Sequence, residues 1–363
     1  MDGIPSGAGS KVPKELDQGV SGMKIELNYC IIYIYTVVLI SMDMKKYDIA
    51  FVHMPFGFVN LGATCYFNAL LQSIISCPAF EKVLIANRDV DEYKKNPVVQ
   101  TMLTMYDMLA QNSVGGDNEQ NLKNIAPMVW KSVFDKAMTR KDNVKFTPGQ
   151  ECVREGFHLF LESLDGLDEI QNLFLHRYQT LIFCQDCDDW VVDKECEYTM
   201  FEVQSNLTSP QLPRFRNIDP NYEKVRPLDQ FLMKQNNYVD KFHKCPKCGK
   251  LDERFQTTRL IMIPEILVVL SKKYDMGGRC KSYDVTDFPE VMRFNGKDDD
   301  GKSVPMVYQA VSRIEHIGSM SGGHYNCHAL RNDKKWYLLD DSIVSEGLFK
   351  STSNTYMVFY HLQ

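Results

Sequence analysis

Three groups of residues carry side chains able to do chemistry: a cysteine in GFVNLGATCYFNALLQ, a histidine and two aspartates in SGGHYNCHALRNDKKWYLLDDS, and two Cys-x-x-Cys pairs between them. Gly57 to Thr64, with two glycines and a threonine, gives way to Phe67, Leu70, Leu71, Ile74 and Ile75 at helical spacing, and Pro78 marks the helix end. Cys65 therefore stands at or next to a helix N-terminus. Unpaired backbone N–H groups and the positive end of the helix dipole favour a thiolate there, which makes Cys65 a candidate nucleophile. The competing reading is a small buried hydrophobe, as most free cysteines are.

The second group is hairpin chemistry. Gly322 and Gly323 lead into His324-Tyr325 and a strand; Asn332-Asp333 is a turn; a second strand, Trp336 to Leu339, ends in Asp340-Asp341. Antiparallel pairing brings the start of one strand near the end of the other, so His324 and Asp340 can meet. A cysteine protease needs that pair: a histidine to take and return a proton, and a carboxylate to fix its tautomer. His328 shares the face of His324 by parity and reads as structural.

The third group is Cys184-x-x-Cys187 and Cys245-x-x-Cys248, the latter in a CPKCG knuckle. Each pair can put two thiolates on one metal at the bite that tetrahedral zinc requires, so together they make a four-thiolate structural site. The gap between the pairs exceeds that of a compact zinc ribbon, so the metal would join the tips of two long excursions. A redox role would need a helix N-terminus in a thioredoxin-like unit, which neither flank suggests. His243 is an alternative ligand.

These motifs resemble those of the ubiquitin-specific protease family. GFVNLGATCYFNALLQ is similar to its cysteine box, G-hydrophobic-x-N-x-G-x-T-C-Y-x-N followed by L-Q, and HYNCHALRNDKKWYLLDD to its histidine box. The resemblance implies Cys65 as nucleophile, Asn60 as a side-chain donor to the oxyanion beside the Cys65 backbone N–H, His324 as general base and acid, Asp340 as its orienting partner and Asp341 as a second supporting acid. QECVREGF resembles the box Q-x-D-A-x-E-F that faces the arginine-bearing tail of ubiquitin. Gln150 and Glu155 match, while Cys152 stands where the family has Asp and Gly156 where it has a large apolar residue. Gly322, Gly323 and Tyr325, with the segment near Gly277, resemble the loops over the path of the Gly-Gly tail. The implied fold is α+β, a papain-like right hand with a helical thumb, a β palm and zinc-pinned β fingers.

The rest of the chain fits these parts. A length of 363 residues allows a large core, and the net charge of −6 with a pI near 5.8 argues against a nucleic-acid partner held through phosphates. Eleven scattered cysteines do not form a secreted disulfide framework; nucleophile, metal ligand and core filler are the expected roles. Residues 1–55 form an N-terminal extension. Its apolar run at 25–42 falls short of the about 20 residues a membrane helix needs and is β-rich, so a buried strand or packed extension is the better reading. Helical spacing recurs from Pro97 to Ala110, Leu122 to Met138 and Gln150 to Leu164; LIMI and ILVVL around Pro264-Glu265 read as strands, and Asn295 to Lys302 as a solvated hairpin. Asp186, Asp188, Asp189, Asp193, Glu195 and Glu197 form an acidic run that could steer a basic partner.

The resemblance spans residues 56–363, with the thumb at about 56–165, the fingers at about 180–256 and the palm mainly at 257–363. It implies an intracellular deubiquitinating enzyme, cytoplasmic or nuclear, with one structural zinc and with ubiquitin and ubiquitinated proteins as partners. Cys152 raises the alternative of a ubiquitin-like modifier as substrate. An inactive ubiquitin-binding scaffold is disfavoured, because every catalytic position holds a competent residue.

Overall fold

The computed structural model describes residues 54–112, 124–138, 152–204, 238–274, 281–297, 302–319 and 322–363. The apolar run at 25–42, Gln150 and the Gly277-Gly278 loop lie outside them. Helices come first in the chain: α1 (Cys65–Ile75), α2 (Pro78–Ala86), α3 (Asp91–Lys95), α4 (Pro97–Asn112), α5 (Ile125–Met138), α6 (Val153–Ser163) and α7 (Asp168–Phe174). Strands follow: β1 (His176–Cys184), β2 (Asp189–Tyr198), β3 (Phe201–Gln204), β4 (Tyr238–Lys244), β5 (Leu251–Met262), β6 (Ile266–Lys272), β7 (Val291–Lys297), β8 (Ser303–Ser319), β9 (Gly322–Leu330), β10 (Trp336–Asp340), β11 (Ile343–Glu346) and β12 (Thr355–Leu362).

The strands divide into two sheets. A 4-stranded sheet in the order β2-β1-β5-β4 carries both Cys-x-x-Cys pairs near its tip, and an 8-stranded sheet runs β11-β10-β9-β8-β12-β6-β3, with β7 paired to β8. β3 lies early in the chain yet joins the large sheet, parallel to β6 through Phe201↔Val269. Its few residues therefore belong to the palm, although they fall inside the range expected for the fingers.

α1 is the central helix. Its spacing suggested one apolar face, but all of Cys65–Ile75 is buried. The polar side chains on its other face have partners in the interior: Asn68 donates to Asp341, Gln72 to the Phe56 carbonyl, and the Ser73 hydroxyl to the Ala69 carbonyl. That satisfaction lets the whole cylinder enter the core without the cost of unpaired polar groups. Leu70, Leu71 and Ile74 are fully buried there, and truncating any one to alanine would cost about 2–5 kcal/mol. Pro78 closes this helix by opening the next, since it occupies the first turn of α2, where its missing N–H costs nothing.

Gly156 explains one departure from the expected box. A Cβ there would lie 3.0 Å from the Tyr66 ring, so the missing side chain lets α6 pack against α1. Tyr66 fills the space and accepts a hydrogen bond from Trp130 Nε1 at 2.9 Å, tying in α5.

Candidate active site and metal centre

Two elements deliver the reactive side chains. Cys65 is the first residue of α1, after a loop organised by Asn60, whose Oδ1 accepts from the Gly62 N–H at 2.8 Å and the Thr64 N–H at 3.2 Å. Gly62 adopts φ 100°, left-handed backbone open to glycine. The loop docks on the palm at Gly57, where a Cβ would come within 2.6 Å of the Asp341 carbonyl oxygen, and the Phe58 N–H donates to that oxygen at 2.8 Å.

On the palm, β9 and β10 pair through Leu339↔Cys327 and Leu338↔His328. That register brings His324 Nε2 to 2.5 Å from Asp340 Oδ1. The next residue, Asp341, has φ 51°, a backbone that Asp tolerates better than most side chains. Its carboxylate accepts from Asn60 Nδ2 at 2.8 Å and from Asn68 Nδ2 at 2.7 Å. The Cys65 sulfur lies against the backbone of Tyr325, the residue after His324. The structure thus brings Cys65, Asn60, His324, Asp340 and Asp341 into one neighbourhood where α1 meets β9.

The electrostatics depart from the sequence expectation at Cys65. Burial pushes its thiol above the ordinary range; backbone N–H groups of Tyr325, Tyr66 and Cys65 itself pull it down, and the Asp341 charge pushes it up. Burial wins. The helix end is present, but Cys65 is only 4% exposed, so a thiolate needs a neighbouring proton acceptor as well.

Other expected residues occupy varied positions. Glu155 is exposed in the first turn of α6, Gly322 is exposed, and Gly323 and His324 are half-buried. Tyr325 is buried at 4%, so its ring forms part of the floor instead of an open contact surface. Cys152, just before α6, makes a 3.1 Å hydrogen bond with the Tyr356 hydroxyl, in a cluster that includes Tyr325 and Tyr274. His328 lies 3.7 Å from Glu315, away from His324, in keeping with a structural role.

The acidic run is largely spent on internal pairing. Asp186 bonds Lys250, Asp189 bonds Lys247, Asp193 bonds His243, Glu195 bonds Gln179 and Glu197 bonds Arg177. Cross-strand neighbours explain part of this, the charge pair Arg177↔Glu197 and the hydrogen-bonded pair Gln179↔Glu195, and they weaken the run as a steering surface.

Sequence reasoning overlooked two supports. Asn68 sits in the cysteine box itself, three residues past Cys65, and shares Asp341 with Asn60. His316 lies under the histidine loop. Its Nδ1 is 2.7 Å from the Tyr274 hydroxyl, its ring packs on Tyr325 at 4.5 Å, and a Cβ on Gly323 would come 2.4 Å from its Nε2. Burial pulls the His316 imidazole down to about 4, with the nearby Lys281 charge adding to the effect, so the ring is neutral at pH 7. The clash explains why glycine precedes His324; no local pattern flagged the histidine eight residues earlier.

The four cysteines form the second centre. The Cys184, Cys187, Cys245 and Cys248 sulfurs all lie within 4.8 Å of one another, with Cys184–Cys248 at 3.7 Å and Cys187–Cys245 at 4.0 Å. A tetrahedron with metal–sulfur bonds of 2.3 Å has sulfur–sulfur edges of about 3.8 Å, so the residues fit a tetrahedral metal ion. Backbone N–H groups of Cys248 and Lys247 pull the Cys245 thiol down to about 6. His243 is hydrogen-bonded to Asp193 at 2.8 Å, outside the tetrad.

A family model described as "Ubiquitin carboxyl-terminal hydrolase" matches residues 56–360. The chain belongs to that family. Among its relatives, human "Ubiquitin carboxyl-terminal hydrolase 42" is 23% identical over 313 residues, covering 84% of this chain and 22% of that protein. The "Probable ubiquitin carboxyl-terminal hydrolase 8" of Schizosaccharomyces pombe is 21% identical over 327 residues, covering 84% of this chain and 64% of that protein. The chain thus spans less than two thirds of either relative. The fold is that of Ubp8, described as part of the "SAGA Ubp8/Sgf11/Sus1/Sgf73 DUB module bound to ubiquitin aldehyde", with a TM-score of 0.61, 16% identity, and coverage of 96% of this chain and 76% of that one. The right-hand architecture expected from the boxes is therefore present: α1 to α7 form the thumb, the large sheet the palm and the small sheet the fingers. Among the described residues no single helix is long and apolar enough to cross a membrane.

Proposed function

We propose that this ubiquitin carboxyl-terminal hydrolase family member is an active, intracellular thiol protease that cleaves the bond after the C-terminal glycine of ubiquitin. The observation that carries the reading is the contact of Cys65 with the backbone of Tyr325, the residue next to the His324 that pairs with Asp340, at the junction of α1 and β9. Asp340 engages Nε2 of His324, which leaves Nδ1 as the nitrogen that exchanges a proton with Cys65. His324 takes the thiol proton, and the sulfur attacks the glycine carbonyl carbon. The developing oxyanion is met by the Cys65 backbone N–H and by the Asn60 amide, which Asp341 holds in place. The carbon–nitrogen bond then breaks as His324 returns the proton to the leaving lysine amine. Water, deprotonated by the same imidazole, cleaves the thioester to a free carboxylate and regenerates the thiol.

Around this centre, Glu155, Gly322 and Gly323 border the path of the substrate tail, with Tyr325 beneath it. Gln150, outside the described residues, is assigned to the same path on the family box alone. The cysteine tetrad holds one structural zinc that fastens the tips of the fingers.

A second reading, a ubiquitin-like modifier as substrate, is favoured by Cys152. A cysteine side chain engaged with the Tyr356 hydroxyl does not offer a basic tail residue the two acceptor oxygens of a carboxylate. Fluorogenic C-terminal conjugates of ubiquitin and of related modifiers test both readings. Turnover of the ubiquitin conjugate, lost in Cys65→Ala, supports the first; turnover of another modifier alone supports the second; turnover of none contradicts both.

A further inference from the structure

α1 and β9 lie side by side and touch at three points. At one end the Cys65 sulfur meets the Tyr325 backbone; in the last turn of α1 Ser73 Oγ lies 3.4 Å from Cys327 Sγ; and from just past the end of β9 Arg331 reaches back onto that same turn. There Arg331 donates from one guanidinium nitrogen to Ser76 Oγ at 2.6 Å and from the other to Gln72 Oε1. Gln72 Nε2 in turn donates to the Phe56 carbonyl at 2.7 Å, at the entry to the loop that carries Asn60. One guanidinium therefore ties the His324 strand, the Cys65 helix and the loop leading into that helix.

We propose that Arg331 is a positioning residue that sets the axial register of the Cys65 helix against the His324 strand. Plain packing does not account for it. The side chain is 4% exposed and its Nε has no hydrogen-bond partner, and a buried cation with incomplete partners costs stability that an apolar residue of the same size would not. The planar fork gives what an apolar side chain cannot, a fixed angle between two acceptors on successive helix turns. Its charge also lies at the carbonyl end of the helix dipole, whose opposite end bears Cys65. Burial lowers the guanidinium to about 10, so it remains charged at neutral pH. Contacts near both ends of the helix, Cys65 with the Tyr325 backbone and Gln72, Ser73 and Ser76 with Cys327 and Arg331, join α1 to β9 and the residue just past it. A shift at one end is carried to the other, where thiol and imidazole must meet within a few tenths of an ångström.

The proposal rests on the hydrolase reading for its kinetic arm but not for its chemical one. The test compares the parent with Arg331→Met, Arg331→Lys and Val358→Ala, the last a destabilising control in a separate core cluster. The readouts are kcat and KM on the ubiquitin conjugate, and the pH dependence of Cys65 alkylation by iodoacetamide, which needs no substrate. Arg331→Met should lower kcat by about tenfold or more with KM within about twofold and raise the inflection of the alkylation profile, and Arg331→Lys, which keeps the charge without the fork, should restore only part of the loss. Ser76→Ala removes one acceptor without burying a new group and should lower kcat by about threefold with KM unchanged, which keeps the test open if the methionine variant does not fold. An unchanged alkylation profile in Arg331→Met, an unchanged kcat in Ser76→Ala, or the same kcat loss in Val358→Ala at matched thermal stability would overturn the assignment. A parent that alkylates with the expected profile but hydrolyses no conjugate would instead defeat the hydrolase reading.

Discussion

Replacing Asp341 with alanine should move two properties of the site in opposite directions. The carboxylate accepts from Asn60 at 2.8 Å and from Asn68 at 2.7 Å, and hydrogen bonds to a charged acceptor contribute about 1.5–3 kcal/mol each. Without it, the Asn60 amide is held only through its own Oδ1, by Gly62 and Thr64, and its N–H group loses its aim. If Asn60 is an oxyanion donor, that loss costs about 2.7–4 kcal/mol of transition-state stabilisation, or on the order of 10²–10³ in kcat. The same substitution removes a negative charge that pushes the Cys65 thiol up, so the thiol should ionise more readily. The assay is steady-state hydrolysis of a ubiquitin C-terminal conjugate beside the pH profile of iodoacetamide alkylation. The expected result is a large fall in kcat with the alkylation inflection moved to lower pH. A kcat within about threefold of the parent, or an inflection moved to higher pH, would refute the reasoning.

Other outcomes follow from the same geometry. Asp340→Asn keeps the shape of the His324 contact but not its charge, and should lower kcat by on the order of 10²–10⁴ with little change in thermal stability, read by kinetics and calorimetry together. Metal analysis should find about one zinc per chain, and Cys245→Ser should reduce that content severalfold and loosen the fingers, visible as faster proteolysis between β1 and β5. Burial raises the Glu265 carboxyl from its ordinary 4.5 to about 7, so the folded protein holds a proton that the unfolded chain loses. The stability gained this way is complete below the unfolded value and is lost as pH rises through the folded one, up to about 3 kcal/mol by pH 8. Glu265→Gln should therefore unfold at higher temperature than the parent at pH 8 but not at pH 4.5; equal differences at both would contradict the assignment.

Much of the site was legible because its chemistry demands particular residue types at fixed spacings. The Thr-Cys step into a helix, the Gly-Gly-His turn and the double knuckle each leave a local signature, and the structure brings their members together. What stayed hidden depends on tertiary contact. Nothing local marks Asn68 and Gln72 as polar residues of a helix buried all round, because their partners, Asp341 and Arg331, lie more than two hundred residues away. Gly156 looked like a departure until the Tyr66 ring gave it a reason. The acidic run read as an open charged face because pairing across strands cannot be seen along one strand. The thiol of Cys65 is raised because burial outweighs the helix end, and depth of burial is not written in a helical pattern.

The most direct test is to treat the protein with ubiquitin bearing a C-terminal electrophile and to map the modified residue by peptide mass spectrometry. The account predicts a single covalent adduct on Cys65, absent in Cys65→Ala and slowed in His324→Ala. An adduct on any other cysteine, or none while the protein remains folded, would contradict it.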